Sequence, residues 1–489
     1  KTFINNFLQS DDFLIFSSEI KALKFFVNLN EIEYSSLPEW SYYGNSLSNR
    51  TLYKGVSQLL PGHYIKVDLD NFCFEQKKYW SPSQIKFTKS AKGLDAGQII
   101  KQTKKLLDES VERQLVGDVP IGIFLSGGID SSAITAIASN YYDKKIDTFS
   151  VGFDYELGEG ELGKAAYIAK LFDTNHHSLR VTGYDIADTV QELVRYHDSP
   201  FSDAANIPLF LLGQKVKDKT KVVLQGDGGD ELFAGYKRYT TLSHINKWRT
   251  FAGILSPIHK LLFPKTKSYF SRQRYLNALN SKSDAELMAL LLTVEDKERS
   301  PIELFSEEFI EKMSHINPFD AYQQCEGKFV DMDIVQRMLI TDTQIILPNI
   351  FLEKVDRATM AASIEVRVPF LDNHLVEYVM SLPSSIKARG GENKWLLKKA
   401  LEGTLPKEIL YTRKTGFGVP YQLWLKGPLK ELFNDKASEL RRKKIKLLNW
   451  KYLDYLLEEN TSNRRENSFL LWKALNFMIW LSQNEQFEQ

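Results

Sequence analysis

A glycine- and serine-rich segment, SGGIDSS at residues 126–132, is the part of the sequence best suited to binding phosphate. Its adjacent glycines let a ligand approach the backbone, and its serines add hydroxyl donors. The segment follows an apolar run and precedes a helical pattern, so its free N–H groups should lie at the positive end of a helix, where a pyrophosphate can bind. The candidate binding residues are Ser126, Gly127, Gly128, Asp130, Ser131 and Ser132.

The same segment lacks the Gly-Lys-Ser/Thr ending of a Walker loop, which favours chemistry that splits ATP between its α and β phosphates. Asp130 would repel a phosphate unless a cation lay between the two charges. Its presence therefore predicts an Mg²⁺ ion that bridges the carboxylate and the phosphates. The alternative is an ordinary strand-to-helix turn with an N-capping aspartate.

A second segment, QGDGGDE at residues 225–231, places three acids among three glycines directly after another apolar run. If both runs are strands of one parallel sheet, the two loops emerge at the same edge and can face each other across a cleft. We expect Asp230 to supply a second Mg²⁺ carboxylate, and Asp227 to orient the amine or hold a catalytic lysine. A calcium-like or merely solvated acidic loop is the weaker alternative, because the EF-hand spacing is missing.

The elements that must position these loops alternate between helical and apolar patterns. Helical spacing from Ile99 to Leu115 leads into the apolar run 121–125, and further strands are predicted at 148–153 and 222–224, with helical patterns between them. This alternation indicates an α/β fold with a doubly wound parallel sheet covered by helices on both faces. From about residue 240 the pattern is mainly helical.

Four segments, SGGIDSS, GDGGDELFAGY, KVDRATMAASIEVRVPFLD and RKTGFGVP, occur in this order and together resemble the synthetase domain of the asparagine synthetase family. The resemblance covers residues 96–489 and implies a sheet of the PP-loop ATP pyrophosphatase type with a helical C-terminal part. Members of that family use ATP to convert a carboxylate into an acyl adenylate, which ammonia then attacks to give an amide. The implied cofactors are ATP and Mg²⁺.

The resemblance also implies roles for individual residues. Lys414 matches the catalytic lysine that neutralises charge on the α-phosphate, and adenine is expected to pack near Leu125, Val151 and Gly226.

For four further positions the resemblance is less decisive. A functional and a scaffold role stay equally open for Arg367 and Asp372. His176 and His177, in TNHH, also resemble the family, but the next strand is expected to begin there and a structural turn is favoured over a functional role.

Residues 1–85 read mostly as short strands, with a hairpin around Asp70 and Asn71. They resemble the C-terminal portion of a class II glutaminase domain of the α+β N-terminal-nucleophile type, through FLIFSSEIKAL and TLYKGVSQLLPGHYIKVD. A Ser-, Lys- and Gly-rich linker follows at about 81–96. That family hydrolyses glutamine with an N-terminal cysteine. Because neither Cys73 nor Cys325 is terminal, we expect the chain as given to use ammonia, and glutamine only with residues upstream of Lys1.

The acceptor is the least determined feature. Some family members read TTIRASTP where this chain reads FSDAANIP at 201–208, so Ala204 replaces an arginine that could grip an amino-acid carboxylate. Three interpretations stay open: amidation of aspartate, amidation of another carboxylate such as a sugar acid in polysaccharide biosynthesis, and a non-catalytic nucleotide-binding regulatory protein. The charges of Asp130, Asp230 and Lys414 argue against the third, because such charges are costly to hold together.

The composition limits the classes of molecule that the chain is expected to bind. With 489 residues the chain should form two or more domains, and its net charge of +1 gives no field that would draw it to nucleic acid or a membrane. The two cysteines fit a reducing cytoplasm. The apolar run Phe469–Leu481 contains Lys473 and Asn476 and predicts a buried helix rather than a membrane span. The expected partners are small molecules, and a homodimer is a candidate assembly.

Overall fold

The structure is a computed structural model of the chain. It describes all residues except 1–5, 10–12, 71–72, 154–159, 184–185, 246–248, 250, 253–271, 273–274, 293–299, 413–417, 463, 485–486 and 488–489.

Short antiparallel strands build the N-terminal segment, residues 6–80. β1 lies between β2 and β3, whereas β4 and β5 form a separate hairpin in which His63 pairs with Lys78 and Val67 with Phe74. The predicted hairpin is therefore confirmed, although Asn71 in its turn lies outside the described residues. The elements are β1 (Asn6–Gln9), β2 (Leu14–Ser17), α1 (Ile20–Leu23), α2 (Leu37–Tyr43), β3 (Val56–Gln58), β4 (His63–Val67) and β5 (Phe74–Lys78).

A five-stranded sheet in the order β10-β9-β6-β7-β8 forms the centre of the molecule, and every neighbouring pair in it is parallel. This confirms the predicted parallel sheet. Because all the strands run in one direction, the loops that follow β6 and its neighbour β9 leave the sheet at the same edge. The strands are β6 (Ile121–Phe124), β7 (Asp147–Phe153), β8 (Asn175–Val181), β9 (Val222–Leu224) and β10 (Glu365–Arg367).

β8 and β10 differ in part from the expectation from sequence. β8 begins at Asn175, which confirms the strand start expected there, but it already contains His176 and His177, so the turn favoured for these two residues is wrong. β10 comes from the EVR segment far downstream, and it pairs with β9 through Glu365–Val222 and Arg367–Leu224. Its three residues are only partly buried and carry charge at both ends, so no apolar run marks it as a strand.

Helices fill the chain between the strands and most of it after β9, as predicted for the C-terminal part. α5 and α7 both pack against β7. The helices are α3 (Ala96–Gln114), α4 (Ile129–Tyr141), α5 (Gly160–Leu171), α6 (Ile186–His197), α7 (Asn206–Val216), α8 (Gly229–Phe233), α9 (Lys237–Ser243), α10 (Asp284–Leu290), α11 (Glu307–Met313), α12 (Asp320–Glu326), α13 (Ile334–Gln344), α14 (Glu353–Met360), α15 (Asn373–Ser381), α16 (Ser384–Lys387), α17 (Trp395–Ala400), α18 (Lys407–Leu410), α19 (Tyr421–Trp424), α20 (Pro428–Arg442), α21 (Trp450–Thr461) and α22 (Ser468–Gln483).

The buried helix α22 joins the N-terminal segment to the rest of the chain. The ring of Trp40 lies 4.7 Å from that of Phe477. Lys473, which interrupts the apolar run in the sequence, donates hydrogen bonds to the carbonyl oxygens of Ser41 at 2.7 Å and Tyr42 at 2.9 Å. It thereby satisfies carbonyl groups near the end of α2. The two sequence segments on either side of residues 81–96 thus share one apolar core.

Across the residues that the structure describes, no helix combines the length and the apolar character needed to cross a membrane.

Candidate active site

The loop after β6 forms the N-terminus of α4. Gly128 is the N-cap residue, and no side chain caps the first turn, which leaves backbone N–H groups for an anion. Gly127 has a φ of 73°, and a Cβ atom there would lie 2.6 Å from the Cβ of Lys164. The Ser131 hydroxyl accepts a 3.2 Å hydrogen bond from the backbone N–H of Ser126 and so closes the turn. The loop has the backbone geometry of a phosphate site.

The loop after β9 packs directly on the first one. A Cβ atom at Gly226 would lie 2.9 Å from the Cβ of Asp130, and one at Gly229 would lie 2.6 Å from Asp130 Oδ1. Both distances are shorter than any real Cβ contact, so the loops can touch only because these positions are glycine. Asp130 and the first turn of α8, which contains Asp230, are thereby brought together.

Lys394 lies between the two aspartates. Its Nζ is 2.7 Å from Asp130 Oδ1, 2.5 Å from Asp130 Oδ2 and 2.8 Å from Asp230 Oδ1. Burial by itself lowers the pKa of this lysine, but the two carboxylates outweigh burial and raise it above its usual value. Lys394 therefore stays protonated, and the two acids share one positive charge.

Sequence reasoning missed Lys394. It lies in GENKWLL, at the N-cap of α17, with a left-handed φ of 56°. Gly390 and Gly391 precede it, but no apolar run ends there to mark the segment as a loop at the edge of a sheet. Positive φ at a lysine costs energy, and here the contacts with both aspartates hold the residue in place.

The paired aspartates also fit the Mg²⁺ expected from the sequence. Carboxylate oxygens are the ligands that this ion prefers, and it usually takes one or two of them and completes its shell with phosphate oxygens and water. In the described ranges, no cluster of three or more His, Cys, Asp or Glu residues could hold a metal by protein ligands alone. The residues thus fit an ion that binds together with a nucleotide rather than a permanent protein-held metal.

Asp227 lies in the same loop and makes no hydrogen bond with the described residues. Burial raises the pKa of Asp227, and the neighbouring carboxylates of Asp130 and Asp230 add to the shift. Lys354, on α14, opposes it. The negative charge of Asp227 is therefore disfavoured by Asp130 and Asp230 and favoured by Lys354.

Lys354 pairs with Asp203, its Nζ lying 3.2 Å from Asp203 Oδ2. Burial by itself lowers the pKa of Lys354, but Asp203 and Asp227 outweigh burial and raise it. Only 11% of the Lys354 side chain is exposed. This second lysine was not expected from the sequence, because its KVDRATM segment reads only as part of the family motif.

A buried polar network holds α8 and α9 behind the aspartate loop. The Tyr236 hydroxyl donates a 2.6 Å hydrogen bond to Glu231 Oε1, and burial together with Asp230 raises the pKa of Glu231 to about 7. Arg238 lies over the Tyr236 ring and pairs with the fully buried Asp342 at 2.8 Å. This network fixes the helical turn from which Asp230 projects.

Three residues predicted near adenine lie on neighbouring strands at the site edge. Leu125 directly follows β6, Val151 lies in the second half of β7, and Gly226 follows β9. Ser132, by contrast, is fully buried, so its hydroxyl does not reach the cleft surface. Lys414 lies outside the described residues, and its role stays a prediction.

Arg367 and Asp372, left open by the sequence, act as scaffold in this structure. Arg367 donates hydrogen bonds to the carbonyl oxygens of Gln114 at 2.9 Å and Val116 at 2.7 Å, which ties β10 to the end of α3. Asp372 pairs with Arg113 at 2.8 Å and caps α15.

Comparison with known proteins shows which family this chain resembles. A family model described as asparagine synthase matches residues 102–482. The chain is 29% identical to "Asparagine synthetase (glutamine-hydrolyzing) 1" of Bacillus subtilis strain 168, over 97% of this chain and 72% of that protein. It is 30% identical to a "Putative asparagine synthetase (glutamine-hydrolyzing)" of Mycobacterium bovis, over 95% of this chain and 70% of that protein. A fungal relative, "Amidase chyE" of Penicillium rubens, is 24% identical over 89% of this chain and 69% of that protein.

Proposed function

The chain belongs to the asparagine synthase family, and we propose that it forms asparagine by adenylating the side-chain carboxylate of aspartate and transferring ammonia to it. An aspartate oxygen attacks the α-phosphorus of ATP and pyrophosphate leaves. The nitrogen of ammonia then attacks the acyl carbon, AMP leaves with the bond electrons, and the nitrogen loses a proton.

The single observation that carries this proposal is the meeting of two glycine-bearing loops around Lys394. One loop offers uncapped helix N–H groups, and the other brings Asp230 within reach of the ammonium that also binds Asp130. N–H groups and a lysine suit a triphosphate, whereas the aspartates suit the cation that accompanies one. The proposed arrangement places the polyphosphate over α4 and adenine near Leu125 and Val151.

In this proposal each side chain has a limited task. Bound Mg²⁺ would withdraw charge from the phosphate oxygens and from the departing pyrophosphate. Lys394 adds a fixed positive charge that needs no reorganisation as charge moves toward the leaving group. By resemblance, Lys414 neutralises charge on the α-phosphate. Asp227, which has no hydrogen-bond partner among the described residues, orients ammonia and stabilises the positive charge that develops on its nitrogen.

We further propose two functional parts in the sequence. Residues 1–85 form the C-terminal portion of a glutaminase domain, and residues 96–489 form the synthetase domain with its ATP site. Both parts share the core around α22, which would keep an ammonia source in a fixed position relative to the site. By family resemblance, glutamine is the proposed source of this ammonia.

The proposal is tested by pyrophosphate exchange into ATP, with candidate acids added one at a time. We expect exchange that depends on L-aspartate, and AMP with pyrophosphate as products when ammonia is added. Formation of ADP and phosphate, or no exchange with aspartate at any concentration tried, would overturn it.

A second candidate function keeps the chemistry and changes the acceptor. The replacement of a family arginine by Ala204 favours another carboxylate, such as a sugar acid. Exchange stimulated by a uronic acid and not by aspartate would establish this alternative. A non-catalytic regulatory role would move ahead instead if Lys414→Ala left ATP turnover unchanged.

A further inference from the structure

The pair formed by Asp203 and Lys354 interacts electrostatically with Asp227 of the aspartate loop and has no assigned task. Asp203 lies just before α7, where its Oδ1 accepts a 3.0 Å hydrogen bond from the backbone N–H of Ala205 and its Oδ2 faces Lys354. One carboxylate oxygen therefore fixes the side chain, and the other is paired with the lysine. The Asp203 side chain is 25% exposed, so a small solute can reach it.

The pair also lies within electrostatic reach of the reacting groups. Lys354 interacts with Asp227 as well as with Asp203, and Asp227 in turn interacts with Asp130 and Asp230. A carboxylic acid held at this pair would thus adjoin the loop that we assign to adenylation. Ala204 is buried and carries no charge, whereas the neighbouring Asp203 carries a negative charge that is partly exposed.

We propose that Asp203 and Lys354 determine acceptor specificity by binding the α-ammonium and the α-carboxylate of an amino acid whose side-chain carboxylate is then adenylated. This inference rests on the proposed function. An ammonium group has three N–H donors, and Lys354 uses one of them on Asp203 among the described residues. A zwitterionic substituent satisfies both partners, because each charge of the pair then faces an opposite charge on the ligand.

A sugar acid would leave this site poorly satisfied. It brings a carboxylate to Lys354 but no ammonium to Asp203, so Asp203 must share its lysine with a second carboxylate and gains no cation in return. The pair therefore favours an amino acid even though the family arginine is absent at position 204. Sites built to pair with a polar substrate group discriminate strongly against analogues that lack it.

Two analogues of aspartate isolate the two contacts. Succinate lacks the α-amine, and β-alanine lacks the α-carboxylate, yet both keep the carboxylate that would be adenylated. We expect the wild-type chain to prefer L-aspartate to each in pyrophosphate exchange. Asp203→Asn, which keeps the hydrogen bond to Ala205, should reduce the preference over succinate by at least about tenfold in kcat/KM. Lys354→Met should do the same to the preference over β-alanine.

Three controls separate specificity from a folding defect. Lys354→Arg should restore part of the preference over β-alanine, because it keeps a buried cation. Lys219→Met, at an exposed lysine after α7, should leave both preferences unchanged. Exchange measured with saturating ATP and thermal unfolding of each variant report whether the fold and the nucleotide site survive.

The outcomes distinguish this inference from the function on which it rests. If the wild type exchanges with aspartate but both variants keep their preferences, the assignment of Asp203 and Lys354 is wrong and the proposed function stands. If the wild type exchanges with a uronic acid and not with aspartate, the proposed function and this inference fail together, before any variant is made.

Discussion

Two buried lysines, Lys387 and Lys394, show that burial alone does not determine the pKa of a lysine in this fold. Lys387 ends α16 and Lys394 caps α17, and their exposed fractions are 1% and 4%. Lys387 donates to the neutral Gln336 Oε1 at 3.1 Å and to the Met380 carbonyl oxygen at 3.4 Å, and burial lowers its pKa to about 7. The pKa of Lys394 is raised instead.

The difference comes from the partners. Both amines lose water, but Lys394 gains two carboxylates, whereas Lys387 has only the weaker effect of Asp333 to oppose desolvation. A buried lysine therefore offers a fixed positive charge to a ligand only where the fold supplies carboxylates. By this criterion Lys394 suits the proposed reaction site, whereas Lys387 belongs to the scaffold that joins α13, α15 and α16.

The largest effect is expected from Lys394→Met. Removing the shared cation leaves Asp130 and Asp230 to repel each other and takes a positive charge from the proposed phosphate site. We expect kcat/KM in aspartate-dependent exchange to fall by about a hundredfold or more. We also expect the free energy of unfolding to fall by roughly 3 kcal/mol, as when one partner of a buried ion pair is removed. Exchange kinetics and urea denaturation measure the two effects.

Lys394→Arg provides the control, since it keeps the charge but not the compact ammonium geometry. Compared with Lys394→Met, this variant should recover more of the lost free energy of unfolding than of the lost kcat/KM. If Lys394→Met exchanged pyrophosphate as fast as the wild type, the positive charge of Lys394 would have no role in the proposed reaction.

An intermediate effect is expected from Gly229→Ala. The new methyl group would lie 2.6 Å from Asp130 Oδ1 and must push the carboxylate away from Lys394. We expect the KM for ATP to rise by about tenfold, with a smaller change in kcat, because the loop moves but all charged groups remain. Initial-rate kinetics at varied ATP measure this change.

Gly327→Ala is the matched control. An added Cβ at Gly327 meets no atom within 4 Å, so this variant should keep the wild-type KM for ATP. Equal KM values for both alanine variants would show that close packing of the two loops does not set the geometry around Lys394.

The parts of this site that follow strands could be predicted from the sequence, and the lysines could not. The loops at 126–132 and 225–231 carry local signals: an apolar run, glycines and acids at fixed positions, and then a helical pattern. A parallel sheet then brings such loops to one edge. Lys354 and Lys394 come from helices far along the chain, and only tertiary packing selects them from the many other lysines.

Similar reasons explain the other differences. β10 is too short and too polar to produce an apolar pattern in the sequence. It forms a strand because it pairs with β9. Ser132 has the residue type of a phosphate ligand but is fully buried on α4, and its role stays a prediction. Residue type and spacing predicted which two loops meet, whereas helix phase and distant partners determine which side chains face each other there.

The smallest effect on activity is expected from Lys387→Met, whose consequence is a change in how stability depends on pH. Burial lowers the pKa of Lys387 in the folded chain to about 7, from the usual value of 10.5 for a lysine. Between these two values the unfolded chain binds a proton that the folded chain does not. The free energy of unfolding of the wild type should therefore rise with pH in this window by about 1.4 kcal/mol per unit relative to the methionine variant.

Below pH 7 both states of the wild type are protonated, so the full cost of burying the charge is present and methionine has its greatest advantage. Urea denaturation of both proteins at several pH values above and below 7 gives the difference directly, since contributions from all other groups cancel. Lys86→Met, a substitution at an exposed lysine, is the control. Its free energy of unfolding should depend on pH in the same way as that of the wild type. A constant difference between wild type and Lys387→Met would mean that Lys387 keeps its charge in the folded state, and burial without carboxylates would then not suffice to neutralise a lysine in this fold.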